Sequence, residues 1–145
     1  MTLASIQVPG KRPYPPRVSQ FTRTFWDALA ERRLVTTRCR ACSRATFPPK
    51  PFCPHCWSDE IKWGPLSPRG TVYSSTVMHA VPAHFQHEAP YRVGIVDLDD
   101  GIRIATRLVG IDQGFAVGAR AQIVVLSYDD GPLFAAKIGT DPNFR

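Results

Sequence analysis

Two Cys-x-x-Cys hooks, Cys39–Cys42 and Cys53–Cys56, gather all four cysteines of this chain into eighteen residues. Four thiolates at that spacing form a tetrathiolate, the ligand set of one tetrahedral ion of the zinc type. The ten residues between the hooks are fewer than the roughly 15–20 of the usual two-hook template. A ribbon with a tight second hairpin tolerates the shorter gap. The intervening segment 43–52 carries Pro48, Pro49 and Pro51, so a stiff turn or loop is expected there.

Other uses of these cysteines are weaker. Two disulfides would need an oxidising compartment, and the first residues lack the basic start and apolar stretch of a secretory signal. A redox Cys-x-x-Cys comes singly beside a βαβ pattern, which this chain does not show. Iron in the same ligand set stays open at this point. Four thiolates fill the coordination sphere and leave no position for an activated water, which makes the expected ion structural. His55, inside the second hook, is read as a solvent-facing imidazole.

A chain of 145 residues buries about two thirds of its unfolded surface. No apolar run approaches the ~18 residues of a membrane span. The expectation is a soluble, cytoplasmic protein of one or two small domains. Charge is lopsided: residues 1–70 hold twelve Lys/Arg against four Asp/Glu, while residues 71–145 hold six against eight. Arginine supplies fourteen of the eighteen basic residues, which favours bidentate contact with phosphate or carboxylate. An anionic partner of the N-terminal half is one reading, and a solvated basic surface is the other.

Along the chain, three units are expected. Residues 1–20 form a proline-rich extended arm, unfit for a helix or a central strand, either disordered or laid across a partner. Residues 21–66 combine a short helix with the metal ribbon. Thr24 and Asp27 have the spacing of a capping box, Phe21, Phe25 and Leu29 mark one apolar face, and Arg32 and Arg33 suit a helix C-terminus. A strand over 34–38 leads into the first hook. Residues 67–145 read as β throughout, with strands near 70–79, 91–98, 102–108, 121–128 and 133–138. Asp99-Asp100-Gly101 and Asp129-Asp130-Gly131 provide tight turns, and Gly110 to Gly118 a loop. The fold class is mainly β: an N-terminal helix, a rubredoxin-like zinc ribbon and a C-terminal five-stranded OB-fold barrel.

No nucleophile elbow, phosphate loop or HExxH motif occurs. His79, His84 and His87 lie within nine residues, but their loop contains two prolines and nothing completes a site at ligand spacing. Lys50, Arg69 and Arg92 are candidate anion contacts by charge alone.

Taken in order, Phe25 to Glu31, Leu34, the two hooks, Phe47-Pro48-Pro49, Trp63, Gly70 to Ser74, Pro90-Tyr91 and Asp97 to Gly101 resemble the zinc-ribbon plus OB-fold family long called domain of unknown function 35. The resemblance covers roughly residues 21–138. Against the family pattern, Ser43 and Trp57 stand where such knuckles place Gly, and Arg32 replaces a Gly common at the helix end. The last strand, with Phe134, also lacks the usual proline-bracketed ending. The resemblance implies a non-catalytic accessory subunit that associates with a thiolase-fold enzyme and binds acyl-CoA in lipid, sterol or polyketide metabolism, as part of a hetero-oligomer. It supplies no CoA-contacting residues. The alternative is a nucleic-acid-binding module, since zinc ribbons and OB barrels both serve there. Against it, the barrel half is net acidic, and its strands offer few aromatics for base stacking beyond Tyr73, Tyr91, Tyr128 and Phe134.

Overall fold

The computed structural model describes residues 2–110 and 117–139. The elements run β1 (Ser5–Gln7), α1 (Arg23–Ala30), β2 (Val35–Cys39), β3 (Ala45–Thr46), β4 (Ile61–Pro65), β5 (Arg69–Met78), β6 (Tyr91–Leu98), β7 (Arg103–Gly110), β8 (Arg120–Tyr128) and β9 (Gly131–Ile138). A 3₁₀ turn over Ala83–Glu88 precedes β6. Most of the Gly110–Gly118 loop expected from the sequence lies outside the described residues.

Strands β5 to β9 close on themselves. β5 pairs antiparallel with β6, and β6 with β7. β7 runs parallel to β9 over residues 108–110 and 136–138. β9 pairs along its whole length with β8, and the start of β8 returns to the start of β5. The ring order 5-6-7-9-8 is that of an OB barrel, with the five strands the sequence predicts. Alternation explains the packing: Ile104 and Leu108 on β7 turn inward to meet Val72, Val96 and Ile123, while Arg103 points out. Gly101, at φ +84°, makes the turn between β6 and β7.

One core joins helix, ribbon and barrel. Phe25, Ala28 and Leu29 on α1 pack with Leu34, Val35 and Leu66 of the ribbon and with the inward side chains of the barrel. Phe25 makes edge-to-face contacts with Phe47 of the ribbon at 5.8 Å and Phe134 of β9 at 6.1 Å. Phe47 and Phe134 meet each other at 5.9 Å. Geometries of this kind favour aromatic rings.

The helix begins earlier than the sequence suggests. Thr24 and Asp27 already lie inside α1, and the Thr22 cap makes no side-chain bond to the helix. The reciprocal pair sits one turn upstream: the Ser19 amide donates to Thr22 Oγ1 at 2.8 Å, and the Thr22 amide to Ser19 Oγ at 3.0 Å. The proline-rich arm also departs from expectation. Instead of being disordered or reserved for a partner, it lies on its own barrel, with β1 parallel to residues 125–127 of β8. Residues 120–122 of β8 are paired with β5, so the arm occupies the edge that β5 leaves free further along. Residues 5–7 precede every proline, which leaves their amides available. Leu3 is fully buried in the core, its amide bonded to the Arg32 carbonyl and its carbonyl to Arg32 Nε.

Further along, Arg12 clips the arm to the β8–β9 turn. Its amide donates to Asp130 Oδ1 at 2.8 Å, and its guanidinium to the Asp130 and Pro132 carbonyls. Gly131 (φ +146°) makes room, since a Cβ there would lie 2.8 Å from the Arg12 guanidinium carbon. Gly131→Ala should therefore displace the clip and strain the turn, costing about 1–2 kcal/mol. Faster tryptic cleavage after Lys11, with a lowered Tm, is the expected readout.

Candidate metal centre

The ribbon is a three-stranded sheet in the order β3-β2-β4. The short β3 falls in the segment expected to be all loop, and β4 was not expected at all. Both are held by β2, whose threonines are buried: Thr36 Oγ1 donates to the Thr46 carbonyl, and Thr37 Oγ1 accepts the Lys50 amide at 3.1 Å. These bonds anchor a stretch whose prolines supply no amide donors.

The two hooks are copies of one knuckle. In the first, the Ser43 amide donates to the Cys39 carbonyl at 3.0 Å, and the Cys39 amide to the Arg44 carbonyl at 2.9 Å. In the second, Trp57 donates to Cys53 at 2.8 Å, and Cys53 to Ser58 at 2.8 Å. Each turn closes at a residue with positive φ, Ser43 at +68° and Trp57 at +66°. With Arg32 at +62°, these are the positive-φ non-glycine residues among those described, the same three positions at which the sequence resemblance leads to an expectation of Gly. The substitution costs on the order of 1 kcal/mol each. At Arg32 the side-chain bond to Leu3 offsets it.

Each knuckle aims amides at sulfur. Ala41 and Cys42 donate to Cys39 Sγ at 3.3 and 3.4 Å, and His55 to Cys53 Sγ at 3.4 Å. The Cys42 amide foremost, together with the other bonds and against burial, brings the Cys39 thiol down to about 7. Cys53 is also lowered: burial opposes the change, and the amides of Cys56 and His55 outweigh it. At Cys56 the Ser58 amide lowers the value, but the neighbouring Cys39, Cys42 and Cys53 sulfurs and burial push it up to about 12. Crowded sulfurs resist ionising together, and a central cation reverses that balance.

The four Sγ atoms lie within 4.8 Å of one another, with Cys39–Cys56 at 3.6 Å and Cys42–Cys53 at 3.5 Å. All four are free thiols, which sets aside the disulfide reading. A tetrahedral zinc with Zn–S near 2.3 Å separates its sulfurs by about 3.8 Å. Number, spacing and donor type suit structural zinc.

Among the described residues this is the one cluster of three or more metal-type side chains. His79, His84 and His87 are exposed and form no such group; His84 instead packs on Tyr14 of the arm at 5.5 Å. His55 is exposed, as expected. Lys50 lies in the ribbon, its amide bonded to Thr37 Oγ1, Arg69 opens β5 with its Nε buried and unbonded among the described residues, and Arg92 lies on β6 near Tyr91 and Arg107. Sequence reading missed Glu88, whose carboxylate receives Arg107 at 2.9 Å and the Tyr128 hydroxyl at 2.9 Å. Burial, then Glu88, push that phenol up to about 12 and keep it a donor. No signal in sequence links three residues on separate elements. Among the described residues, no helix is long and apolar enough to cross a membrane.

A tetrathiolate ribbon feeding an OB barrel defines the class of protein. Residues 26–62 match the model of the ChsH2 rubredoxin-like zinc ribbon domain, and residues 63–126 that of the ChsH2 C-terminal OB-fold domain. The chain belongs to this zinc-ribbon and OB-fold family, the one known as DUF35. The benzoylsuccinyl-CoA thiolase subunit BbsA of Thauera aromatica is 32% identical over 125 residues, covering 83% of this chain and 85% of that subunit. A probable enoyl-CoA hydratase alpha subunit of Thermomonospora curvata is 42% identical over 98 residues, 66% of this chain; the chain spans only 30% of its length. Other relatives are named DUF35 domain-containing scaffold proteins, and the chain covers 61% of the one from Methanocaldococcus jannaschii. A solved chain of an Ltp2–ChsH2(DUF35) aldolase superposes with a TM-score of 0.75 at 34% identity, covering 87% of this chain and all of that one.

Proposed function

We propose that this protein is a non-catalytic accessory subunit that docks on a thiolase-fold enzyme and binds acyl-CoA, supporting acyl transfer or carbon–carbon bond chemistry. The observation that carries the reading is the near full-length likeness to a thiolase subunit, over 83% of one chain and 85% of the other. Within this reading Cys39, Cys42, Cys53 and Cys56 are the ligands of a structural zinc. It would stiffen the ribbon and present no open position for chemistry. A cytoplasmic location belongs to the same reading, because a tetrathiolate of reduced cysteines suits a reducing compartment. The division into an arm (1–20), helix and ribbon (21–66) and barrel (67–145) belongs to the same proposal. The bond from the Leu66 amide to the Leu34 carbonyl supports a ribbon ending at 66.

An exposed aromatic stack supports the docking role. Trp57 is 76% exposed and Phe52 39% exposed, and their rings lie 5.7 Å apart and nearly parallel. Large aromatics held out by a rigid turn are typical anchors of protein interfaces. Trp57→Gly is expected to weaken assembly with the thiolase-fold subunit by ~2 kcal/mol, roughly 30-fold. Because glycine relieves the +66° backbone, zinc content and Tm should hold. Co-expression of the two subunits followed by titration of the purified pair tests this. Unchanged affinity would remove the stack from the interface, and failure to form any complex would sink the accessory reading.

A further inference from the structure

The ribbon and the barrel do not meet flush. Between them lies an open cleft of about 680 Å³, bounded by Arg38, Arg44 and Lys50 of the ribbon and by Asp100 and Arg103 of the β6–β7 hairpin. We propose that this cleft holds the phosphate-bearing end of a coenzyme A thioester, an assignment that rests on the acyl-CoA reading above and gives it a location.

Three observations carry it. The first is unspent charge. Among the described residues, Arg38, Arg44 and Lys50 pair with no carboxylate, whereas Arg12, Arg33, Arg103, Arg107 and Arg120 each do. Part of this positive charge balances the zinc tetrathiolate alongside. That centre is itself screened by the amides of Ala41, Cys42 and His55, and guanidinium groups facing an open cleft remain available to a phosphate.

The second is fixed geometry. The Arg38 guanidinium is held by the Ser43 carbonyl at 2.9 Å, the Lys50 amide by buried Thr37, and Arg103 by Asp97 with its guanidinium 3.8 Å over the Tyr73 ring. Groups ordered before binding lose less entropy on meeting a ligand.

The third is what lies on the other side of Asp100. Asp100 accepts the Ser67 amide at 2.8 Å and also borders a second open cleft, of about 510 Å³, lined by Leu3, Ala28, Leu34, Trp63 and Leu66. One cleft is cationic and the other apolar, and they share one residue. A ligand with a phosphorylated nucleotide at one end and an acyl chain at the other matches both. A nucleic acid, anionic along its whole length, matches only the first.

The test uses the zinc-loaded full chain, alone and in complex with its thiolase-fold subunit, titrated calorimetrically with CoA, decanoyl-CoA and a single-stranded oligonucleotide. The double variant Arg44→Gln/Lys50→Gln should weaken CoA binding by about tenfold or more, with zinc content and Tm unchanged. If the double variant loses zinc, Lys50→Glu alone, outside both hooks, serves instead and should show the same loss. Decanoyl-CoA should bind more tightly than CoA in wild type and variants alike. Equal CoA affinity in wild type and variants overturns the cleft and leaves the acyl-CoA reading standing. Absence of CoA binding in both the free chain and the complex overturns both. Oligonucleotide binding that is tighter than CoA binding and lost in the same variants overturns the coenzyme assignment.

Discussion

Replacing Cys39 by serine is expected to empty the ribbon of zinc and to unfold it. The ion, the four thiolates and the two knuckles form one unit, because none of the ligand positions is worth holding without the others. Cys39 is the most committed member: it is buried, takes amides from Ala41 and Cys42, and lies against Cys56 at 3.6 Å. Structural zinc of this kind contributes on the order of 10 kcal/mol to folding, more than the ordinary stability of a small domain. Amide exchange should become fast across β2, β3 and β4. The damage should also spread, since Leu34, Val35 and Leu66 share a core with α1 and the barrel. Elemental analysis reads the outcome: wild type holds one zinc per chain and Cys39→Ser none. A variant that kept its zinc and its Tm would remove the tetrathiolate from the account.

The second large effect is expected at Phe25, where the three parts of the molecule meet. Its ring contacts Trp26 on the helix, Phe47 on the ribbon and Phe134 on β9, and it is almost fully buried. Truncation to alanine leaves a cavity under all three, at a cost of about 3–5 kcal/mol. Most small domains have little more than that to lose. Denaturant unfolding should show a large fall in midpoint. A loss under 1 kcal/mol would mean that the helix is not the joint between ribbon and barrel. The zinc ligands are untouched by this change, so Phe25→Ala should still bind zinc while folded, which separates it from Cys39→Ser.

Much of this architecture is legible in the sequence because it is written locally. Hook spacing depends on a few adjacent residues, and strands β5 to β9 carry their alternation within each segment. Arg32, Ser43 and Trp57 stand where the resemblance leads to an expectation of Gly, and each takes a positive φ; the sequence shows the break in pattern but not the backbone angle. What stayed hidden depends on distant partners. β1 is three residues long and exists only because β8, some 120 positions later, has an unpaired edge. β3 needs buried Thr36 to hold it. The reciprocal Ser19–Thr22 pair is not signalled locally, because Thr22 lacks the carboxylate that gives Thr24–Asp27 the look of a capping box, and packing sets where the helix begins. Of the proposed cleft, Lys50 alone was singled out; Arg38, Arg44 and Arg103 converge from three segments that no local pattern relates.

Native mass spectrometry of this chain co-expressed with a thiolase-fold subunit tests the central claim most directly, because one spectrum reports partner and metal together. The account predicts a stoichiometric complex of the two chains carrying one zinc for each copy of this one, with no thiolase activity in this chain when isolated. A spectrum showing only the free chain, or a complex whose accessory subunits carry no metal, would contradict it.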